Sequence, residues 1–406
     1  MAKFVIAGGG IGGLATALGV ARRGHTVDVL ERNAAFAELG AGIQLAPNAF
    51  AALEELGVAA EVRARAVHID AIRLLDGESG RPLACLPIDD AYRDRFGGTY
   101  AVVQRGDLYA PLLRACEEDH RIQLRAGSMV TGYVNDTSSV SVLLGSGERV
   151  EADGLVGADG IRSAVRARLV GDGAPVVSGH TIFRTVLPMD SVPAELRCNS
   201  VQLWSGPKWH LVCYPIAGGD RLNLAVTRDD GARTAVSGLP VTRRDVLDRF
   251  PAMKGVPRRL LELGRDWRTW VLCDRPPVTR WSDGRVVLMG DAAHPMLQYA
   301  AQGACMALED AVALGDLADG PAEEIGDRFT RFAALREERT AWAQKAARWM
   351  GEAVYHPAGA EAEARDAMLA ALSAEDLLRV AATLHAGPGR SAVRRDRLAS
   401  AAPGRR

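Results

Sequence analysis

Short apolar runs ending near glycine recur along this chain, each followed by residues with helical spacing. Lys3–Ala7 (KFVIA) is the first, a continuous apolar run of strand length, as expected for a strand buried on both faces of a parallel sheet. A glycine cluster follows. Leu14 to Arg23 then has apolar residues at helical spacing, Gly24 stops it, and His25–Leu30 (HTVDVL) is a second run. The alternation returns in Val102–Arg114 (VVQRGDLYAPLLR), in Val156–Arg166 (VGADGIRSAVR), and in Val286–Met289 with helices from Ala304 to about Gly351. Strands alternating with helical segments predict a parallel sheet covered by helices.

From Ser178 to Leu272 the period changes. Alternating, aromatic-spotted segments such as HTIFRTVLPM, VQLWSG, KWHLVCYPI and RLNLAVTR are joined by turns such as Ala217–Asp220. That pattern predicts antiparallel strands. Helical patterns at Asp245–Phe250 and Arg258–Leu263 precede the return to the first kind of fold. The expected fold class is α/β, with an antiparallel-sheet domain (71–97 and 178–272) inserted into a discontinuous Rossmann-like domain (1–70, 98–177 and 273–350). C-terminal helices (351–386) and an arginine-rich tail (387–406) follow, and the tail has the composition of a disordered end.

Composition narrows the function classes. The 406 residues are 48% hydrophobic and 24% charged, with a formal net charge of -1. That is an ordinary globular profile with no electrostatic case for nucleic acid. No apolar run reaches spanning length. The six cysteines show neither metal-ligand nor redox-motif spacing, so no metal site is expected and free thiols in a reducing cytoplasm are.

The glycines carry chemistry. Gly8, Gly10 and Gly13 form G-x-G-x-x-G between a strand and a helix, and Glu31 ends the next strand roughly 20 residues on, the dinucleotide fingerprint in full context. Two glycines admit backbone to a pyrophosphate, the third allows helix and strand to pack, and Glu31 accepts from ribose hydroxyls. An acid there fits an unphosphorylated ribose, hence FAD or NAD. Ile11, Arg32 and Gln44, the last within a second glycine-rich stretch (Gly40–Asn48), complete the expected lining of that half. Far along the chain, Gly290–Ala311 (GDAAHPMLQYAAQGACMALEDA) ends a strand in Gly-Asp and turns into a helix. Asp291 can accept from sugar hydroxyls, and free N–H groups at Gly303 and Ala304 favour an anion or an electron-rich ring edge. Arg105 ends a strand, and Asp159 lies either in a local ion pair with Arg162 or in a groove for pyrophosphate.

Taken together, Gly8-x-Gly10-x-x-Gly13 with Glu31, GADG at Gly157–Gly160 and GDAAHP at Gly290–Pro295 resemble the three-part signature of single-component FAD-dependent aromatic hydroxylases, the salicylate and hydroxybenzoate hydroxylase group. The resemblance covers about residues 3 to 360. It implies that Gly8 to Gly13 hold the ADP part of FAD, that Asp159 serves FAD and the passing nicotinamide cofactor, that Asp291 binds the ribityl chain, and that Arg105 is a further FAD contact. It implies NADH or NADPH as co-substrate and delivery of OH from O₂, through a flavin hydroperoxide, to a phenolic aromatic acid. Within the group, HPMLQY (His294–Tyr299), WHLVCYP (Trp209–Pro215), DRPPVTRWSDGR (Asp274–Arg285) and WMGEAVYH (Trp349–His356) are similar to the branch that converts 3-hydroxybenzoate to gentisate. Many relatives carry a Thr-Pro pair where this chain has Leu297–Gln298. Salicylate, 6-hydroxynicotinate and biosynthetic aromatic hydroxylases are the alternatives inside the group, and a non-catalytic FAD-fold binding protein is the alternative outside it. A homodimer is the expected assembly.

The resemblance places His210, Tyr214 and Gln298 at the reacting ring. His210 and Tyr214 are four positions apart on one strand and so share a face, with Trp209, Leu211 and Cys213 on the other. A histidine is apt as the base that takes a phenol proton. Read from the strand alone, both residues also suit a packed core, and Gln298 a surface loop. His294 is expected to brace the turn, and Arg184 to bridge domains rather than bind a carboxylate.

Overall fold

A computed structural model describes residues 1–37 and 40–387; the tail expected to be disordered lies outside the described residues, apart from Gly387. Among the described residues the largest element sets are a six-stranded and an eight-stranded sheet. The first runs Ser282–Asp283, Val286–Leu288, Gly154–Gly157, Lys3–Ala7, Thr26–Leu30 and Ile122–Arg125, parallel except at the Ser282–Asp283 edge. The apolar runs read from the sequence are its central strands, and Val5, Ile6, Val29, Leu155 and Val287 are sealed from solvent. Helices Ile11–Ala21, Gly303–Ala318 and Ile325–Trp349 pack against this sheet. The first begins three residues before the apolar periodicity is recognisable, because Ile11, Gly12 and Gly13 are themselves helical.

The eight-stranded sheet runs Leu239–Pro240, Arg268–Asp274, Val176–Pro188, Arg221–Asp229, Trp209–Ile216, Ser200–Gly206, Ala71–Asp76 and Pro82–Pro87. It is antiparallel except where Ala71–Asp76 pairs in parallel with Ser200–Gly206. The strand Trp209–Ile216 lies inside this sheet, paired on both sides. Trp209, Leu211 and Cys213 pack outward on Val246, Leu260 and Leu261 of the helices Arg243–Asp248 and Gly255–Leu263. Val212, Tyr214 and Ile216 pack on the opposite face, toward Ile69, Tyr100 and Val102. His210 shares that second face by alternation. A small sheet, Gly42–Leu45, Ala101–Gln104 and Val67–His68, lies between the two large ones, with the Tyr214 ring against Gly42. After the long helix, a turn of π type (Met350–Tyr355) leads to helices Ala360–Ala370 and Ala374–His385.

Candidate active site

The registers of the parallel strands bring the sequence motifs to one edge. Leu30, Ala7, Gly157 and Leu288 are neighbours across four adjacent strands. The ladder continues past them, with Gly8 N–H donating to Leu30 O, Ala158 N–H to Ala7 O and Met289 N–H to Gly157 O, at 2.8, 2.8 and 3.0 Å. Glu31, Gly8, Asp159 and Asp291 therefore emerge side by side at the carboxyl ends of the strands, where doubly wound sheets bind ligands.

Gly8 has φ +106° and lies so close to Asp159 and Ala158 that a Cβ would stand 2.4 Å from the Ala158 oxygen. At Gly13 a Cβ would stand 1.9 Å from the Gly8 oxygen. The glycines are thus demanded by close approach of backbone to backbone. The carboxylate of Glu31 accepts from Gly9 N–H at 2.9 Å and Asn33 N–H at 2.8 Å, which holds the glycine turn in shape. Arg32 beside it is exposed. Asp159 Oδ2 accepts from Ala164 N–H at 2.7 Å, while its buried Oδ1 has no partner among the described residues. Burial pushes its carboxyl above the usual range. Asp291 is likewise pushed up by desolvation, with His294 and Arg105 acting against the shift, yet it is exposed to water. A carboxylate that is desolvated and still reachable stands in the wall of a deep cleft. Arg105 opens the helix Arg105–Glu118, one residue past the strand end expected for it, and its stem packs against Gly40. Gly303 and Ala304 begin the helix behind Asp291, with Gly303 near Asp291 Oδ1. An acid with one unsatisfied oxygen, a glycine cradle, a cleft-facing acid and a helix N-terminus suit the ribose, pyrophosphate and ring edge of FAD.

The turn at Asp291 is fixed from behind by charges the cleft does not reach. Asp310 Oδ2 accepts from Gly290 N–H at 2.9 Å and lies 2.5 Å from His294 Nε2, while Arg336 Nε donates to its Oδ1 at 2.7 Å. His294 and Arg336 hold that buried carboxyl well below its ordinary range. His294 also stacks on Trp281, with ring centroids 5.4 Å apart, so it braces the turn as expected. Arg162 is exposed and makes no ion pair with Asp159 among the described residues, and Arg166 in the helix that follows is buried. It donates to the carbonyls of Ala292 and Ala293 at 3.0 and 2.7 Å and pairs with Asp172.

From this turn the chain passes into the second site. Gln344 donates to Pro295 O at 3.0 Å and Tyr355 to Tyr299 O at 3.2 Å, which pins the segment between them. Gln298 Oε1 accepts from the Arg184 guanidinium. Arg184 stacks over Trp270 at 5.4 Å and neighbours the Tyr214 hydroxyl. Among the described residues it has no carboxylate partner, and desolvation lowers its pKa. Its link from the eight-stranded sheet to Gln298 is thus joined by a second property, an uncompensated positive charge. Tyr214 is pushed up by burial and also neighbours Gln44. Gln44 accepts from the Tyr100 hydroxyl at 2.8 Å, which sets it at the junction of the cleft and this site.

His210 ends the row. Its ring lies 5.3 Å from that of Tyr299 and 5.0 Å from that of Tyr355. Desolvation brings its pKa down to about 3, so it is neutral at pH 7 and able to accept a proton. Two further histidines crowd this end, and sequence reasoning missed both. His180 Nδ1 lies 2.7 Å from the Tyr299 hydroxyl, and His356 Nε2 lies 2.8 Å from His210 Nδ1. The available signal was WMGEAVYH, which carries His356.

A Rossmann-like sheet with three motifs at its carboxyl edge, opening onto a second sheet, defines an FAD-dependent monooxygenase. Comparison with known proteins agrees. Residues 1–349 match the FAD binding domain family. The chain is 42% identical to a 3-hydroxybenzoate 6-hydroxylase of Aquipseudomonas alcaligenes over 93% of its length and 95% of that protein. It is 41% identical to one of Klebsiella oxytoca, over 90% and 91% respectively. Its fold matches a salicylate hydroxylase substrate complex with TM-score 0.79 at 23% identity, covering 96% of this chain and 99% of that one. The chain belongs to the single-component FAD-dependent aromatic hydroxylases. FAD is its cofactor and NAD(P)H its co-substrate. No described helix is long and apolar enough to cross a membrane, and the described residues hold no cluster fit for a metal ion.

Proposed function

We propose that the enzyme hydroxylates 3-hydroxybenzoate para to its hydroxyl, giving gentisate, with NADH as the electron donor. The observation that carries this reading is the convergence of a neutral buried histidine, a tyrosine and an uncompensated guanidinium beyond Asp291. Such a set suits a ring bearing one hydroxyl and one carboxylate. The identity to 3-hydroxybenzoate 6-hydroxylases supports the same substrate.

In this reading residues 1–70, 98–177 and 273–350 carry the cofactor, and 71–97 and 178–272 carry the substrate. Gly8, Gly10, Ile11, Gly13, Glu31 and Arg32 hold the ADP end of FAD, while Gln44, Arg105, Asp159, Asp291, Gly303 and Ala304 hold the rest. Bound FAD supplies the activation of O₂. His210 accepts the phenol proton, and the ring so charged becomes electron-rich enough to be attacked. Tyr214 and Gln298 fix the ring's orientation, and Arg184 receives the carboxylate in a charge-assisted pair. Leu297, Tyr299 and Tyr355 are buried around the site and exclude water from it.

The finer setting is part of the proposal. Six unpaired thiols suit a reducing cytoplasm. Trp342 and Trp349, each about half exposed and two turns apart on one helix face, suit a homodimer contact, which light scattering tests. For the activity, the purified flavoprotein is given NADH and a panel of hydroxybenzoates, salicylate and 6-hydroxynicotinate. Gentisate formed from 3-hydroxybenzoate with matched NADH oxidation is expected. If 3-hydroxybenzoate neither stimulates NADH oxidation nor yields gentisate, the assignment fails.

A further inference from the structure

Beside the proposed base lies a second imidazole with no role in the reaction so far described. His210 Nδ1 and His356 Nε2 are 2.8 Å apart, with both rings buried and tilted by 33°. One nitrogen of this pair carries a proton and the other accepts it. His356 reaches the site from the π turn after the long helix, 146 positions from His210, and Lys208 N–H donates to its carbonyl at 3.2 Å. Its remaining nitrogen, Nδ1, is sealed in protein without a hydrogen-bond partner among the described residues. His210 Nε2 has no hydrogen bond among the described residues either, yet it is not among the sealed atoms. The pair therefore offers one open nitrogen, and that nitrogen belongs to His210.

We propose that His356 is a positioning residue that holds His210 in the tautomer needed for proton abstraction. Its Nε2 accepts the His210 Nδ1 proton, which leaves the His210 Nε2 lone pair free for substrate. The inference rests on His210 as the base. The balance is simple: the substrate O–H bond breaks, its proton joins His210 Nε2, and the electron pair stays on oxygen. The Nδ1–H to Nε2 bond is neutral before the transfer and charge-assisted after it. Bonds of the second kind are roughly twice as strong. His356 thus favours the protonated state of His210 over the resting one, and interactions that strengthen along the reaction are the ones that accelerate it.

The surroundings make this help necessary. Burial, with His180 second, depresses the basicity of His210, and burial with His210 and His180 does the same to His356. The groups facing the pair are His180, Tyr299 and Tyr355. Charges act on His180 in turn, from Asp229, Asp230 and Glu352 in one direction and from Arg348 in the other. Among the described residues no carboxylate touches the His210–His356 pair directly, so a neutral imidazole does the work an acid does beside many catalytic histidines.

The test uses the purified flavoprotein with His356→Ala, His356→Gln, His210→Ala and the double variant His210→Ala/His356→Ala. Flavin content and melting temperature are recorded for each. A side chain that accepts a hydrogen bond to an ionised group is worth a rate factor of about 10–100. His356→Ala is expected to lose that much in kcat for hydroxylation with KM nearly unchanged, and to move the rising limb of the pH profile to lower pH, because His210 loses the partner that stabilises its protonated form. Gln offers Oε1 as an acceptor and is expected to restore most of the rate and the profile. The double variant is expected to be no slower than His210→Ala alone. A folded, flavin-loaded His356→Ala enzyme with the parent's kcat and pH profile overturns the proposal. So does a flavin-loaded His356→Gln enzyme as slow as His210→Ala, or a double variant in which the two losses multiply. If His356→Ala does not fold, the Gln variant's rate and profile decide. Full hydroxylation by His210→Ala sinks the base assignment instead, a result separable from the others.

Discussion

Arg184→Met separates binding from stability at one position. The guanidinium is desolvated, stacks on Trp270 and, among the described residues, meets only the neutral Gln298 as a hydrogen-bond partner. A buried charge without a counter-charge destabilises the fold it occupies. Met fills a similar length without that cost, so the variant is expected to melt no lower than the parent. The substrate carboxylate loses its counter-charge, and hydrogen bonds to charged groups contribute about 1.5–3 kcal/mol, about 10–100-fold in affinity. The assay titrates the flavoprotein with 3-hydroxybenzoate and with the neutral 3-hydroxybenzamide, following the flavin absorbance. The benzoate Kd is expected to rise by that factor and the benzamide Kd to change by less than about threefold. An equal loss for both ligands would show that Arg184 only shapes the pocket through Gln298, and an unchanged benzoate Kd would refute the carboxylate contact outright.

Three other outcomes are expected. Asp291→Ala removes the acid facing the cleft, and flavin affinity measured by fluorescence titration should fall about 10–100-fold; full flavin retention through gel filtration contradicts its placement. His210→Ala should lose about 100-fold or more in hydroxylation while NADH still reduces the flavin in stopped flow; equal loss in both steps points to a role in folding or binding. His385 is buried against Tyr92 and its pKa is lowered to about 4, chiefly by desolvation. Unfolded chains take up this proton near pH 6.5, so stability is intact above pH 6.5 and is lost as pH falls toward 4, by about 3 kcal/mol. Melting curves between pH 7 and 4 should show a shallower decline for His385→Gln, and an identical slope discounts this residue.

The sequence carried the nucleotide half of the site because its geometry is local. Each glycine turn follows directly on the strand that sets its position, and parallel pairing of Ala7, Gly157 and Leu288 did the rest. The face of Trp209–Ile216 was also legible, since alternation alone separates His210 from Trp209. What was hidden depended on depth and long-range register. Alternation places Arg184 on a face but does not reveal that no acid among the described residues accompanies it. The hairpin Ala71–Pro87 extends the sheet in parallel through Ser200–Gly206, a pairing with no trace in either segment. His356 meets His210 only because the helix Ile325–Trp349 ends in a wider turn that redirects the backbone. Nothing in the segment after Asp159 tells that Arg166 faces the carbonyls behind the Asp291 turn, and only packing shows it.

The buried carboxylate of Asp310 ties Gly290 to Arg336 across the chain. Until Arg336 arrives, closing the Asp291 turn would sequester the Asp310 carboxylate with His294 as its one charge partner among the described residues, which is less favourable. The order of synthesis thus becomes an order of maturation. A nascent chain that has already made both glycine turns still lacks the rear support of its flavin clamp, and gains it only when the long helix emerges and docks. Loading of the prosthetic group is therefore expected to wait on that helix.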